Sequence, residues 1–319
     1  MLAIVCPGQG SQTPGFLAPW LELDGVREQL TALGRAAGHD LVAHGTESDA
    51  ETIKDTAVAQ PLIVAAGLVT ASALFASRAE LAGTGAVLAG HSVGELTATA
   101  LAGVVTDEQA ISLVATRGRA MAEAGAVTPT GMAAVLGGDP GEVLAALEAH
   151  GLTPANINGA GQVVAAGTLE QVEALRAAPP AKARVIPLQV AGAFHTSHMS
   201  PAVDALAAAA TDVTPSAPTL RLLSNADGAT VADGPDALDR LVRQVSNPVR
   251  WDRCMETMLA LVVTGLVELA PAGTLVGLAK RAMPGVETLA VKTPDDLEAA
   301  RTLVATHATH ATPSTESAP

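Results

Sequence analysis

The stretch 86–102 places the strongest constraint on the fold. Ala86–Ala89 is a short apolar run, Gly90-His91-Ser92-Val93-Gly94 follows at once, and Glu95–Ala102 reads as a helix. A G-x-S-x-G turn between strand and helix is a sharp reversal, in which flanking glycines avoid a backbone clash. It lifts the Ser92 hydroxyl out at the carboxyl end of a strand. It also sets the next backbone N–H, that of Val93, at a helix N-terminus, where a negative oxygen can be held. The motif is short, and a glycine-rich turn with an incidental serine is the plain alternative.

Composition points the same way. Of 319 residues 49% are apolar, yet only 2% are aromatic and there is no Tyr. A core of Ala, Val, Leu and Ile suits a buried parallel sheet covered by helices better than an aromatic-rich β-sandwich. The net charge of −14 argues against nucleic-acid binding, which needs a basic footprint. Cys6 and Cys254 are too few and too far apart for a disulfide framework or a metal set, so the expected compartment is the reducing cytoplasm. Met1–Cys6 lacks a basic leader and meets Pro7-Gly8 at once, unlike a signal peptide. No apolar run is expected to reach the ~18 residues of a membrane span.

Along the chain, Leu2–Cys6 reads as a buried strand, Ala59–Ser77 as a long helix, and Asp107–Glu123 as another with Thr106 as N-cap. The texture changes near Ala126. From there the pattern predicts strand Met132–Leu136, helix Asp139–His150 stopped by Gly151, strand Gln162–Ala166, helix Leu169–Ala178 and strand Ala183–Leu188. That β-α-β-α-β order reads as a small inserted α+β unit. Helix Met199–Ala210 and strands Arg221–Ser224 and Gly265–Glu268 follow, and the low-complexity tail is expected to be disordered.

A serine nucleophile needs a positioned base. His39, His44 and His150 lie in polar or loop-like stretches, and His307 and His310 lie in the tail. His91 neighbours Ser92 on a turn expected to point it away. His195 and His198 remain, on a loop leaving the last strand of the inserted unit, and spacing does not separate them. His-x-x-His without a third ligand is a poor metal site.

Together these residues resemble the malonyl-CoA:acyl carrier protein transacylases of bacterial fatty-acid and polyketide synthesis. The resemblance rests on Pro7-Gly8-Gln9-Gly10-Ser11-Gln12, Gly90-His91-Ser92-Val93-Gly94-Glu95, Ala193-Phe194-His195 with Met199, and more weakly Asn247-Pro248-Val249-Arg250-Trp251. It implies an α/β fold. A hydrolase-like parallel-sheet large subdomain (1–126 and 196–300) would carry an inserted ferredoxin-like small subdomain (127–195), with 301–319 as a tail and the site in the cleft. It also implies roles. Ser92 would be the nucleophile and His195 the base. The N–H groups of Gln9 and Val93 would form the oxyanion hole. Arg117 would bind the malonyl carboxylate, the Gln244 carbonyl would orient the histidine, and Phe194 would exclude branched acyl groups. Two departures stand out: Asn156-Ile157-Asn158-Gly159 lacks the family's usual Pro, and Gly192 stands where His is frequent.

The implied reaction is ping-pong transfer of malonyl from malonyl-CoA through Ser92 to the phosphopantetheine thiol of an acyl carrier protein. No metal or cofactor, no nucleic acid and no membrane is implied, and a monomer is expected. A serine hydrolase would need an acid, for which Asp107 and Asp139 are available; a non-catalytic binding protein would not need Ser92, His195 and Arg117 intact. A helix arginine is ordinarily solvated, which is the plain reading of Arg117. Arg240, Arg243, Arg250 and Arg253 form the most basic local cluster, a candidate docking face for an acidic partner or simply a solvated helical face.

Overall fold

Strand β1 (Leu2–Cys6) carries no charged side chain and is buried along its whole length, as expected of a central strand covered by helices on both faces. The computed structural model describes residues 1–190 and 192–309. In chain order the remaining strands are β2 (Val87–Gly90), β3 (Thr130–Gly137), β4 (Thr153–Gly159), β5 (Gln162–Thr168), β6 (Ala183–Pro187), β7 (Arg221–Leu222), β8 (Val249–Arg250), β9 (Gly265–Glu268) and β10 (Glu287–Ala290).

They build two sheets. The first has the order β10-β9-β1-β2-β7 and is parallel throughout. The second has the order β6-β3-β5-β4-β8. Its first four strands are antiparallel, and β8 joins β4 in parallel. Helices Pro140–Ala149 and Leu169–Ala177 complete a β-α-β-β-α-β unit with its own small core around Val135, Leu147 and Leu175. The protein is therefore an α/β fold, a hydrolase-like parallel sheet with a ferredoxin-like insert.

The second strand of the insert, β4, is absent from the sequence reading. Its residues Thr-Pro-Ala-Asn-Ile-Asn-Gly are poor strand formers, and its pairing with β5 shifts register twice. Tertiary pairing, with β5 on one side and β8 on the other, holds it extended. Strands β8 and β10 are also missed; both are short, and β10 is largely unburied. At the other end, the expected tail begins too early. Helix Leu297–His307 buries Ala300 and Leu303, and the His307 ring bonds Thr264 Oγ1 at 2.9 Å and Glu287 Oε2 at 2.9 Å. Residues 310–319, the rest of the tail, lie outside the described residues.

Helix Thr56–Leu74 overturns another expectation. It is long and apolar enough to cross a membrane by length and composition. Here it is buried nearly all round, packed on helices Gly94–Leu101 and Asp107–Val127. At Gly67 a β-carbon would lie 2.7 Å from Thr97 Cγ2, so close helix packing needs glycine there. An apolar helix without a polar face is the signature of a core position as much as of a lipid one.

Helix Asp107–Val127 starts as the sequence predicts, in a capping box between Thr106 and Gln109. The core is aliphatic, with only Trp20 and Trp251 as fully buried aromatic rings. Ile4, at 0% exposure in the middle of β1, sits among strands and helices that cannot collapse around a void. Ile4→Ala is expected to cost about 2–5 kcal/mol of unfolding free energy, read from urea unfolding with an unchanged m-value.

Candidate active site

The turn after β2 brings Ser92 out of the sheet in the left-handed region, at φ 52°, which non-glycine residues rarely adopt. Crowding explains why. A β-carbon at Gly90 would lie 2.0 Å from the Gly94 carbonyl carbon, and one at Gly94 would lie 2.2 Å from Cys6 O. The chain turns here only because both flanks are bare. Asn225, just past β7, holds the turn from outside. Its Oδ1 accepts the Ser92 N–H at 2.8 Å and its Nδ2 donates to Gly90 O at 2.7 Å.

His195 is likewise at positive φ, 61°, and is 2% exposed. Its Nε2 lies 2.7 Å from Ser92 Oγ, and its Nδ1 lies 2.8 Å from the main-chain oxygen of Gln244. A carbonyl only accepts, so Nδ1 carries the proton and the Nε2 lone pair faces the hydroxyl. Burial, and then the Arg117 charge, pull the His195 pKa down to about 3, which keeps the ring neutral and able to take a proton. His198, half-buried in the turn Ser197–Met199, does not line the cavity that holds Ser92. Structure thus separates the two histidines that spacing left equal.

Arg117 is no surface arginine: it is 1% exposed, whereas Arg119 is exposed. Its guanidinium donates to Gln60 Oε1 at 2.6 Å, Gln244 Oε1 at 2.9 Å and Ser92 Oγ at 3.4 Å. Burial lowers its pKa to about 10, so it stays charged at neutral pH. Its hydrogen-bond partners are neutral groups, which leaves a buried positive charge without a carboxylate in direct contact among the described residues. Such a charge is costly unless something anionic meets it.

The cavity beside Ser92 and His195 measures about 250 Å³ and is walled by both sheets' elements; Arg117 does not line it and reaches the site through its contact with Ser92 Oγ. Gln9, Val93 and Phe194 line it, and Met121, Met132, Val164, Leu188 and Val190 make much of its surface apolar. Among the described residues the N–H groups of Gln9 and Val93 find no protein acceptor. Phe194 is buried, at 7% exposure.

Two expectations need correction, and one alternative loses its support. His91 does not point away from the site. It lines the same cavity, its Nε2 lies 2.8 Å from Asn158 Oδ1 on β4, and its ring meets Trp251 edge-on. Asp107 and Asp139, the candidate acids of a hydrolase triad, are spent elsewhere: Asp107 pairs with Arg78 and Asp139 caps helix Pro140–Ala149. The four-arginine cluster is charge-matched, with Arg240 on Asp227 and Asp236, Arg243 on Asp239, Arg250 on Asp252 and Arg253 on Glu256. It offers little net positive field to an acidic partner.

Sequence reasoning missed Asn225, Gln60, Glu95 and the side chain of Gln244. Asn225 has a detectable signal, since Ser224-Asn225-Ala226-Asp227-Gly228 is a turn cluster at a strand end. Gln60 has none, buried in an apolar helix. Among the described residues no three His, Cys, Asp or Glu side chains group as metal ligands.

Comparison with known proteins agrees with this geometry. The acyl transferase domain family matches residues 3–311. The malonyl CoA-acyl carrier protein transacylase of Mycobacterium tuberculosis H37Rv is 54% identical over 298 residues, covering 93% of this chain and 98% of the relative. The crystal structure of MCAT from Mycobacterium tuberculosis superposes with TM-score 0.91 at 54% identity, covering 94% of this chain and 99% of that one. A malonyl-transacylase in complex with its type II PKS acyl-carrier protein superposes with TM-score 0.87 at 32% identity, covering 94% and 99%. The chain is an acyltransferase and belongs to the malonyl CoA-acyl carrier protein transacylase family.

Proposed function

We propose that this enzyme moves a malonyl group from malonyl-CoA to the phosphopantetheine thiol of an acyl carrier protein by way of an ester on Ser92. The observation that carries the reading is one hydroxyl flanked by a neutral base and a buried cation. Ser92 Oγ lies 2.7 Å from His195 Nε2 and 3.4 Å from the Arg117 guanidinium.

In the first half-reaction Ser92 Oγ gives its proton to His195 Nε2 and bonds to the thioester carbonyl carbon. The carbonyl oxygen takes the negative charge and faces the N–H groups of Gln9 and Val93. The C–S bond then breaks, and the coenzyme A sulfur leaves with the proton from His195. In the second half-reaction His195 accepts the proton of the carrier's thiol, whose sulfur attacks the ester. Ser92 recovers its proton as the tetrahedral species collapses. The Gln244 carbonyl, in place of a carboxylate, steadies the imidazolium formed in each half.

Arg117 supplies the selectivity. Malonyl carries a carboxylate that ends the guanidinium's isolation, and a guanidinium can take it through two hydrogen bonds. Acetyl leaves the charge unmet. Phe194 beside His195 crowds a substituent on the acyl α-carbon. The apolar lining keeps water from the ester until a thiol arrives, and a main-chain carbonyl rather than an acid at His195 Nδ1 disfavours a hydrolase triad. The relative held with its type II PKS acyl-carrier protein supports a polyketide carrier as substrate alongside a fatty-acid one. A monomer working in the cytoplasm, beside its coenzyme A and carrier-protein substrates, completes the proposal.

Intact mass after brief mixing with malonyl-CoA is expected to show one added malonyl group on wild type and none on Ser92→Ala. Arg117→Ala should lose malonylation by about a hundredfold or more while keeping or gaining acetylation from acetyl-CoA. Accumulation of free coenzyme A without an adduct would make the protein a hydrolase. The pH dependence follows from His195. The rate of Ser92 acylation needs the neutral ring, so its acid limb should fall below the ordinary histidine value of 6.5, toward the folded value of about 3. The sign for stability matches: the folded pKa lies below the unfolded one, so unfolded chains bind the extra proton and stability drains as pH falls from 6.5 toward 3. Stopped-flow acylation alongside circular dichroism separates the two effects; an acid limb at 6.5 in folded protein would contradict a desolvated base.

A further inference from the structure

A carboxylate lies inside the site that the transfer chemistry does not use. Glu95, the second residue of helix Gly94–Leu101, is 3% exposed. Its Oε1 accepts the Asn225 backbone N–H at 3.0 Å, and its Oε2 accepts from Gln244 Nε2 in a short contact. Two accepted bonds, one on each oxygen, are the pattern of an ionised acid. The helix N-terminus favours that charge.

Gln244 is where the site converges. Its main-chain oxygen faces His195 Nδ1 at 2.8 Å, and its side-chain Oε1 accepts from Arg117 at 2.9 Å. Its Nε2 also reaches Ser92 O at 3.2 Å and Asn225 Oδ1 at 3.3 Å. The two ends of this amide are not interchangeable. Rotated by half a turn, the NH₂ would meet the guanidinium, donor against donor. The oxygen would meet Glu95, Ser92 O and Asn225 Oδ1, all acceptors. An anion on the Nε2 side makes the observed orientation the favoured one.

We infer that Glu95 is a positioning residue: it locks the Gln244 amide with its oxygen on Arg117, and so holds the guanidinium where an acyl carboxylate docks beside Ser92. Burial pushes the Glu95 carboxyl up to about 7, while its bonds to Asn225, Ser224 and Gln244 and the Arg117 charge act the other way. Even with these partners the acid sits at the edge of ionisation near neutral pH, and when ionised it and the Arg117 charge support one another across the amide. This inference rests on the proposed role of Arg117.

Glu95→Gln tests it, because the isosteric amide offers one acceptor where two donors arrive. Rates of Ser92 acylation by malonyl-CoA and by acetyl-CoA are measured by rapid-quench intact mass on the full chain, with melting temperature and circular dichroism in parallel. The malonyl rate constant kcat/KM should fall about tenfold or more with acetylation less affected, so the malonyl-to-acetyl ratio drops in a folded protein. Equal loss with both donors would show a merely structural part, and unchanged rates would show none; either result overturns the inference. If Glu95→Gln does not fold, Glu95→Asp reads the same ratio, since it keeps the charge but withdraws it from Gln244 by a methylene. No adduct on wild type would instead remove the Ser92 reading on which the inference stands.

Discussion

Everything at the site hangs on a backbone turn that has no room for side chains. Ser92 leaves β2 at φ 52°, a conformation costing on the order of 1–3 kcal/mol, and it persists because its surroundings over-determine it. Gly90 and Gly94 remove the clashes, Asn225 bonds both sides of the turn, and His91 N–H donates to Cys6 O at 2.9 Å at the end of β1. The buried parallel sheet supplies the rigidity. Were β1 and β2 free to slide, the hydroxyl could not be held 2.7 Å from a ring that belongs to a loop about a hundred residues away.

A second constraint is electrostatic. Two ionisable side chains, Arg117 and Glu95, lie buried in the site, and the Gln244 amide separates them. This arrangement suits a base that must stay uncharged. A carboxylate at the back of His195 would attract a proton to the ring, and would also neutralise Arg117, removing its appetite for an incoming anion. A main-chain carbonyl fixes the tautomer without doing either. The dipole of Gln244 thus orients the imidazole through its backbone while its side chain braces the guanidinium, so that base and clamp share one anchor.

Much of this was legible in the residues. Gly90–Gly94 between an apolar run and a helix marks the turn, because steric exclusion there is local and depends on nearby residue types alone. Capping at Thr106 and Gln109 is local too. By contrast β4 was invisible, since Pro154, Asn156 and Asn158 argue against a strand and only its neighbours make it one. The burial of Arg117 was equally hidden: helix periodicity puts Arg119 on another face but cannot say which face is inside. His195 and His198 looked alike until three-dimensional position separated them, and the family resemblance, not spacing, singled out His195. The pairing of Arg240, Arg243, Arg250 and Arg253 with acids shows the same limit, because a count of cations ignores the acids that folding brings alongside.

The two-part architecture gives the chemistry its shelter. Ser92 rises from the large sheet, His195 follows the last strand of the insert, and the apolar walls come from both. Such a cleft is only as dry as the join between its halves. That join is built from strand pairing and from side-chain contacts at the wall of the cavity. Strand β8, from the large part of the chain, extends the small sheet by pairing with β4. His91, one residue from Ser92, reaches Asn158 on that same strand, and Trp251, directly after β8, packs against the His91 ring. The strand with the least intrinsic preference for being a strand is therefore the one gripped from both sides at the site. Its Asn158, unhelpful for local folding, provides the cross-cleft bond that an apolar side chain could not. A weak local preference at β4 is offset by tertiary pairing, and the result is a wall held in register with the serine it encloses.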